Sequence, residues 1–279
     1  MNASHIAAVT AGQLQRKIDT ISNNIANANT TGFKRRETTF SDLLHQQVHN
    51  QSAIQKENGR MTPYGLRVGV GAKIASTALR LDQGSLIETK RELDFAIAEK
   101  NHFFRIGTTE NGIQETQLTR DGSFYLSIDP DQEDRLTIVT ANGDYLLDGG
   151  FTRISVPADF RSISLSKEGY LQAVRQNGEI EELGQLALTH VHKPQLLESM
   201  GGNLFRLPDA AALGFEDGDL FEEVPGNEGL LVQGSLESSN VDLAREMSEL
   251  LQVQRHYQFN TRSISIADEM AGLVNGIRR

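Results

Sequence analysis

The chain has 279 residues, a net charge of −10 and no cysteine. The acidic balance argues against general nucleic-acid binding, which needs a basic surface to displace counterions from phosphate. The missing thiols exclude disulfides, thiolate metal sites and cysteine nucleophiles. Apolar residues make up 38%, and the 25 glycines bring the share near the globular norm, so wholesale disorder is excluded. No run approaches the ~20 apolar residues needed to span a bilayer. The start Met1-Asn2-Ala3-Ser4-His5 has no basic segment and no unbroken apolar segment behind it, so no cleaved signal peptide is expected.

From Ala7 the apolar positions Ala7, Ala11, Leu14, Ile18, Ile21, Ile25 and Ala28 alternate in steps of four and three. That heptad stripe predicts a helix with one narrow apolar face set against a partner helix. The helix would be about 33 Å long and would stop at Asn29-Thr30-Thr31-Gly32, where the glycine can take the left-handed conformation. The off-seam amides Asn23, Asn24 and Asn27 are unusual, because asparagine competes with the backbone for hydrogen bonds and a solvated face would sooner use Glu, Lys or Gln. They are expected to make lateral contacts. Residues 34–67 are polar and read as a linker segment, and the basic triplet Lys34-Arg35-Arg36 reads as a solvated surface.

Within this stretch His45 and His49 stand four apart but lack the glutamate of a zinc-protease motif, so they read as solvated. Gly65, Gly69 and Gly71 follow no phosphate-loop spacing and lead into a strand-like run. From Val68 to Gln233 the period changes to two, and dipeptides such as Asn142-Gly143, Glu168-Gly169 and Asn177-Gly178 separate short apolar runs. This predicts a β-rich body of hairpins. The clearest are Leu136–Val139 with Tyr145–Leu147, and Ser162–Ser166 with Tyr170–Val174.

Glu181-Glu182 and Glu222-Glu223 are adjacent in strand-like runs and so face opposite ways, which makes them poor acid/base pairs. His190 and His192 would share one face of a strand, with no obvious third metal ligand nearby. Leu204–Asn227 is acidic and reads as an ordered loop or a mobile insertion.

At the far end Ser239-Asn240-Val241-Asp242 has the form of a capping box. Behind it Leu250, Val253, Tyr257, Asn260, Ile264, Ala267, Ala271 and Val274 form a second heptad seam, on a helix of roughly 52 Å. The predicted organisation is an N-terminal helix (1–33), a linker (34–67), a β-rich body (68–236) and a C-terminal helix (237–279). The fold class is a mainly β body with long terminal α-helices in a coiled-coil layer, mixed α+β overall. Thin seams at both ends cannot bury much surface inside one chain. They suit packing between neighbouring subunits. No enzyme site, metal site or cofactor site emerges, and none is expected.

Ile21-Ser22-Asn23-Asn24-Ile25-Ala26-Asn27-Ala28-Asn29-Thr30-Thr31-Gly32-Phe33-Lys34-Arg35 resembles the signature that closes the first helix of flagellar rod and hook proteins. Thr119-Arg120-Asp121-Gly122-Ser123-Phe124 resembles the family's turn in the β body. Gly229–Asp242 resembles its approach to the last helix, and Gln252–Gln258 a stretch within that helix, with His256 where a small residue is more usual. The four blocks lie in the family's order and cover nearly the whole chain. The short β body and residues 40–67 resemble the FlgG/FlgF type, called FlhO and FlhP in some Gram-positive bacteria, and the distal rod in particular.

The resemblance implies a non-enzymatic subunit exported through the flagellar type III apparatus. It would polymerise with itself into a helical, torque-transmitting tube, beside other rod and hook axial proteins in the basal body. No nucleic acid and no small-molecule substrate are implied. The assembly residues are then Leu14, Ile18, Ile21, Asn23, Asn24, Ile25, Asn27, Gly32, Phe33, Leu250, Val253, Tyr257 and Ile264. A proximal-rod or hook-type subunit is the near alternative. A surface adhesin and a cell-wall-acting enzyme are the distant ones.

Overall fold

The computed structural model describes residues 2–42, 45–48, 66–69, 72–110, 113–129, 132, 134–208, 214, 217–226 and 229–277. It is mainly β, with a long helix at each end. The chain divides into two compact units. Among the described residues no helix is long and apolar enough to cross a membrane.

One unit comprises residues 1–26, 36–78 and 242–279. Its N-terminal helix runs Asn2–Ala26 and its C-terminal helix Leu243–Ile277. The two helices pack against each other. Asn24 meets Glu246 and Lys17 meets Glu249, so they run antiparallel. Much of each predicted seam is removed from solvent, but Ala271 and Val274 at the end of the second are exposed. Ala7, Ala11, Ile21 and Val253 are buried, and Leu14, Ile18, Ile25, Leu250, Tyr257 and Ile264 are half-buried.

The expected capping box is shifted by three residues. Asp242, not Ser239, caps the C-terminal helix, its Oδ1 accepting from the N–H groups of Ala244 and Arg245 at 3.0 and 3.2 Å. Ser239 instead accepts from the Val241 N–H at 3.3 Å. A cap must sit beside the first free N–H groups, and the shorter aspartate offset meets that condition here.

The stretch expected as a linker is not structureless. Arg36–Asp42 pairs with Ala72–Leu79, and His45–Val48 pairs antiparallel with Leu66–Gly69. Arg36-Glu37-Thr38-Thr39-Phe40-Ser41-Asp42 carries one large apolar residue in seven positions, too little for a period to show. His49, Gly65 and Gly71, singled out above, lie outside the described residues, as does the His45 side chain.

The other unit comprises residues 27–35 and 79–241. Its central strand His102–Glu110 pairs with Ile113–Thr119 on one side, and with Tyr145–Leu146 and Ala187–Val191 on the other. These belong to a sheet of ten described strands. Strand alternation sends apolar side chains to both faces. Phe104, Ile106 and Leu188 are fully buried. Phe104 and Leu188 join the larger core, where Phe104 meets the Phe124 ring edge-on at 5.3 Å. Phe103, Leu118, Val191 and Phe205 form a second core on the opposite face.

Both predicted hairpins form, with Val139 opposite Tyr145 and Leu165 opposite Leu171. In the first, Gly143 adopts φ 93°, in the region that turn glycines supply cheaply. Leu204–Asn227, expected as a loop, contains two strands. Leu204–Arg206 pairs with Ile113–Thr119, and Phe221–Pro225 pairs with Ala187–Val191. Leu204–Arg206 is only three residues long, too short for a period to show, and in Phe221–Pro225 the exposed Glu222 and Glu223 interrupt the apolar run.

Candidate functional site

Three of the sequence blocks singled out above converge inside the second unit. Beyond Ala26 the chain turns through Asn27–Gly32, with Thr30 donating its N–H and its Oγ1 to Asn27, each at 3.2 Å. Gly32 adopts φ 65° and is buried. Its N–H donates to the Glu237 carbonyl at 2.8 Å. A Cβ at Gly32 would lie 2.6 Å from backbone atoms of Arg120 and Asp121, so both the conformation and the close approach require glycine. Thr31 Oγ1 donates to Asp121 Oδ1 at 2.8 Å, and the Thr31 carbonyl accepts from Asn203 Nδ2 at 2.9 Å. Asn240 fastens the far side of the segment. Its Oδ1 accepts from the Arg35 N–H at 2.7 Å, and its Nδ2 donates to the carbonyls of Arg80 and Asp82.

At the centre lies a buried charge cluster. Glu237 Oε1 accepts from Lys34 Nζ at 2.6 Å and from the Gly84 N–H at 2.8 Å, while its Oε2 accepts from Arg120 Nε at 2.7 Å. All three side chains are about 1% exposed. Each cation also donates to backbone. Lys34 reaches the Asp82 carbonyl at 3.0 Å, and Arg120 reaches the carbonyl of His102 at 2.6 Å. Burial alone would raise the Glu237 carboxyl, but the charges of Arg120 and Lys34 outweigh it and hold the group below the usual carboxylate value. With two cations to one anion, Lys34 is the strained member. Burial pushes its ammonium below the ordinary value, Arg120 adds to that, and Glu237 opposes it. The cluster ties residues 31–35, the turn at 119–122 and the strand Ser235–Glu237 into one piece, just before the chain continues to the C-terminal helix.

Lys34 overturns the reading of Lys34-Arg35-Arg36 as a solvated triplet. A three-residue basic run gives no hint that its first ammonium meets a carboxylate 203 positions away. Arg120 and Glu237 were visible only as letters within longer blocks.

Among the asparagines, Asn24 is 1% exposed. Its amide donates to the Arg36 carbonyl at 2.9 Å and to Glu246 at 3.1 Å, and its Oδ1 accepts from the Arg36 N–H at 3.0 Å. The Asn24 amide is thus engaged with Arg36 and Glu246 of its own chain. Asn23 is exposed and Asn27 half-buried, while Phe33 is buried. Apolar residues also line a part of the C-terminal helix outside the seam. Phe259, Ile266 and Leu273 stand one heptad apart, with Met270 between the last two, and all four are 58–65% exposed.

His190 and His192 do share a face, and a third group reaches them. Glu222 from Phe221–Pro225 brings its carboxylate 3.9 Å from His192 Nε2. Glu223 turns the other way, 3.0 Å from Arg105, as strand alternation requires.

Three family models match the chain: "Flagella basal body rod protein" over residues 6–34, "Flagellar hook protein FlgE/F/G D1 domain" over 98–173, and "Flagellar basal body rod FlgEFG protein C-terminal" over 232–277. The flagellar hook-basal body complex protein FlhP of Bacillus subtilis is 38% identical, covering 98% of this chain and 97% of its own. The flagellar basal-body rod protein FlgG of Borreliella burgdorferi is 35% identical over 100% of this chain and 99% of its own. FlgG of Caulobacter vibrioides is 35% identical over the whole of both chains. The matched segments hold all three members of the charge cluster, with Lys34 in the first, Arg120 in the second and Glu237 in the third. The chain belongs to the flagellar basal-body rod protein family and is a structural subunit, not an enzyme.

Proposed function

We propose that the chain is a subunit of the distal rod, which copies of itself extend as a helical tube carrying torque from motor to hook. The observation that supports this most is the exposed heptad stripe Phe259, Ile266, Met270 and Leu273. The C-terminal helix already gives one seam to its own N-terminal helix, so a second seam suits a neighbouring subunit. In the tube the terminal helices make an inner coiled-coil layer, with the β body outside. Other rod and hook proteins are the axial neighbours, and the flagellar type III apparatus is the export route. The relatives named FlgG agree with the FlgG-type resemblance of the sequence blocks, on which the distal reading rests. The seam residues Leu14, Ile18, Ile21, Ile25, Leu250, Val253, Tyr257 and Ile264 hold the helices in register for assembly, and Asn23, Asn27, Gly32 and Phe33 shape the surface and turn beside them.

The test is complementation. A strain lacking the chain receives Phe259→Asp/Ile266→Asp, two changes at solvent-exposed positions that leave the subunit folded by circular dichroism. Loss of motility with normal subunit secretion supports the reading. Wild-type swimming would refute it.

A further inference from the structure

Three of the chain's seven histidines gather at one end of the central sheet. His190 lies directly across from His102 on one neighbouring strand and from Glu222 on the other. The His102 and His190 rings are 4.7 Å apart, and the His190 and His192 rings are also 4.7 Å apart, the latter pair nearly perpendicular. Donor atoms of His190, His192 and Glu222 all lie within 4.8 Å of one another. His102 is differently placed. Its Nδ1 faces the Lys100 carbonyl at 2.8 Å, and a carbonyl only accepts, so that nitrogen carries the proton.

We propose that His190, His192 and Glu222 bind one divalent ion of the zinc class. Two imidazoles and a carboxylate match the ligand preference of zinc, and in a tetrahedral site the donor atoms stand about 3.3 Å apart. The donor atoms already lie within 4.8 Å of one another, and His192 and Glu222 are both exposed side chains. Neutral imidazole is the ligating form. The ion would cross-link Ala187–Val191 to Phe221–Pro225 near the ends of both strands. The fourth position is open to water or to a donor from a neighbouring subunit.

The experiment uses the untagged full chain, stripped with a chelator and titrated with ZnCl2 by calorimetry, with Co2+ as a spectroscopic probe. One equivalent of zinc is expected, with tetrahedral Co2+ absorption in the visible and a higher thermal midpoint. His192→Ala and Glu222→Gln, both at exposed positions and each removing a ligand, should each weaken binding by more than the roughly 10–100-fold that loss of an outer-shell partner costs and abolish the cobalt bands while leaving the circular dichroism unchanged. His45→Ala/His49→Ala should bind as the parent does. No binding by the parent chain at millimolar zinc, or unchanged binding by His192→Ala, overturns the proposal.

Discussion

Replacing Glu237 by Gln removes one charge and almost no volume from the buried cluster. Both carboxylate oxygens accept hydrogen bonds, Oε1 from Lys34 and Gly84 and Oε2 from Arg120. Whichever oxygen becomes an amide nitrogen therefore meets a donor, and two buried cations lose their only anionic partner in the cluster. Removing one partner of a buried pair costs about 3–5 kcal/mol. For a domain of this size, roughly 2–4 °C per kcal/mol converts that to a fall in thermal midpoint of about 6–20 °C. Urea unfolding of the full chain, followed by circular dichroism, reads the loss without the screening that guanidinium chloride would add.

The pH dependence isolates the charge. A carboxyl whose folded pKa is depressed contributes stability that is complete above its unfolded value, and loses it as pH falls through the folded value. Glu237 is such a group. The gap between wild type and Glu237→Gln should therefore be full at pH 7 and shrink below about pH 4, as the wild-type carboxyl takes up a proton. A loss under about 1 kcal/mol at pH 7, the scale of an exposed pair, would refute the reasoning. So would a gap that ignores pH.

Two further substitutions test the segments that flank the cluster. Gly32→Ala puts a methyl 2.6 Å from the backbone of Arg120 and Asp121 at φ 65°. The left-handed conformation alone costs about 1–2 kcal/mol, so residues 31–35 should lift from the β body and gain hydrogen exchange, with the β core still protected. Asn24→Ala leaves the Arg36 N–H without its side-chain acceptor and removes a donor from Glu246, and should cost about 1–3 kcal/mol in thermal unfolding. Asn24→Asp should cost more at pH 7, because it sets a second carboxylate against buried Glu246.

What could be read from the sequence was the part governed by local period. The two terminal helices and the two clearest hairpins each repeat a pattern over neighbouring residues and appear in the fold near where the period places them, although the first helix ends at Ala26, before Ala28, and Ala271 and Val274 at the far end of the second seam are exposed. Arg36–Asp42 was missed because its side chains are mostly polar, Phe221–Pro225 because two adjacent glutamates interrupt its apolar residues, and both because their pairing partners lie far along the chain. The charge cluster was hidden for a related reason. Lys34, Arg120 and Glu237 are separated by 86 and 117 positions, and each alone has the composition of a surface residue. The blocks that hold them stood out as a family resemblance, yet only the fold shows that they form one junction. The same holds for Glu222, which sequence reasoning discounted beside Glu223 and which the sheet register brings to His190.

The measurement that bears most directly on the rod assignment is electron microscopy of basal bodies from cells lacking this chain. The distal-rod account predicts a rod that stops part-way, with the proximal segment present and no hook attached. Basal bodies with complete rods and hooks would contradict it.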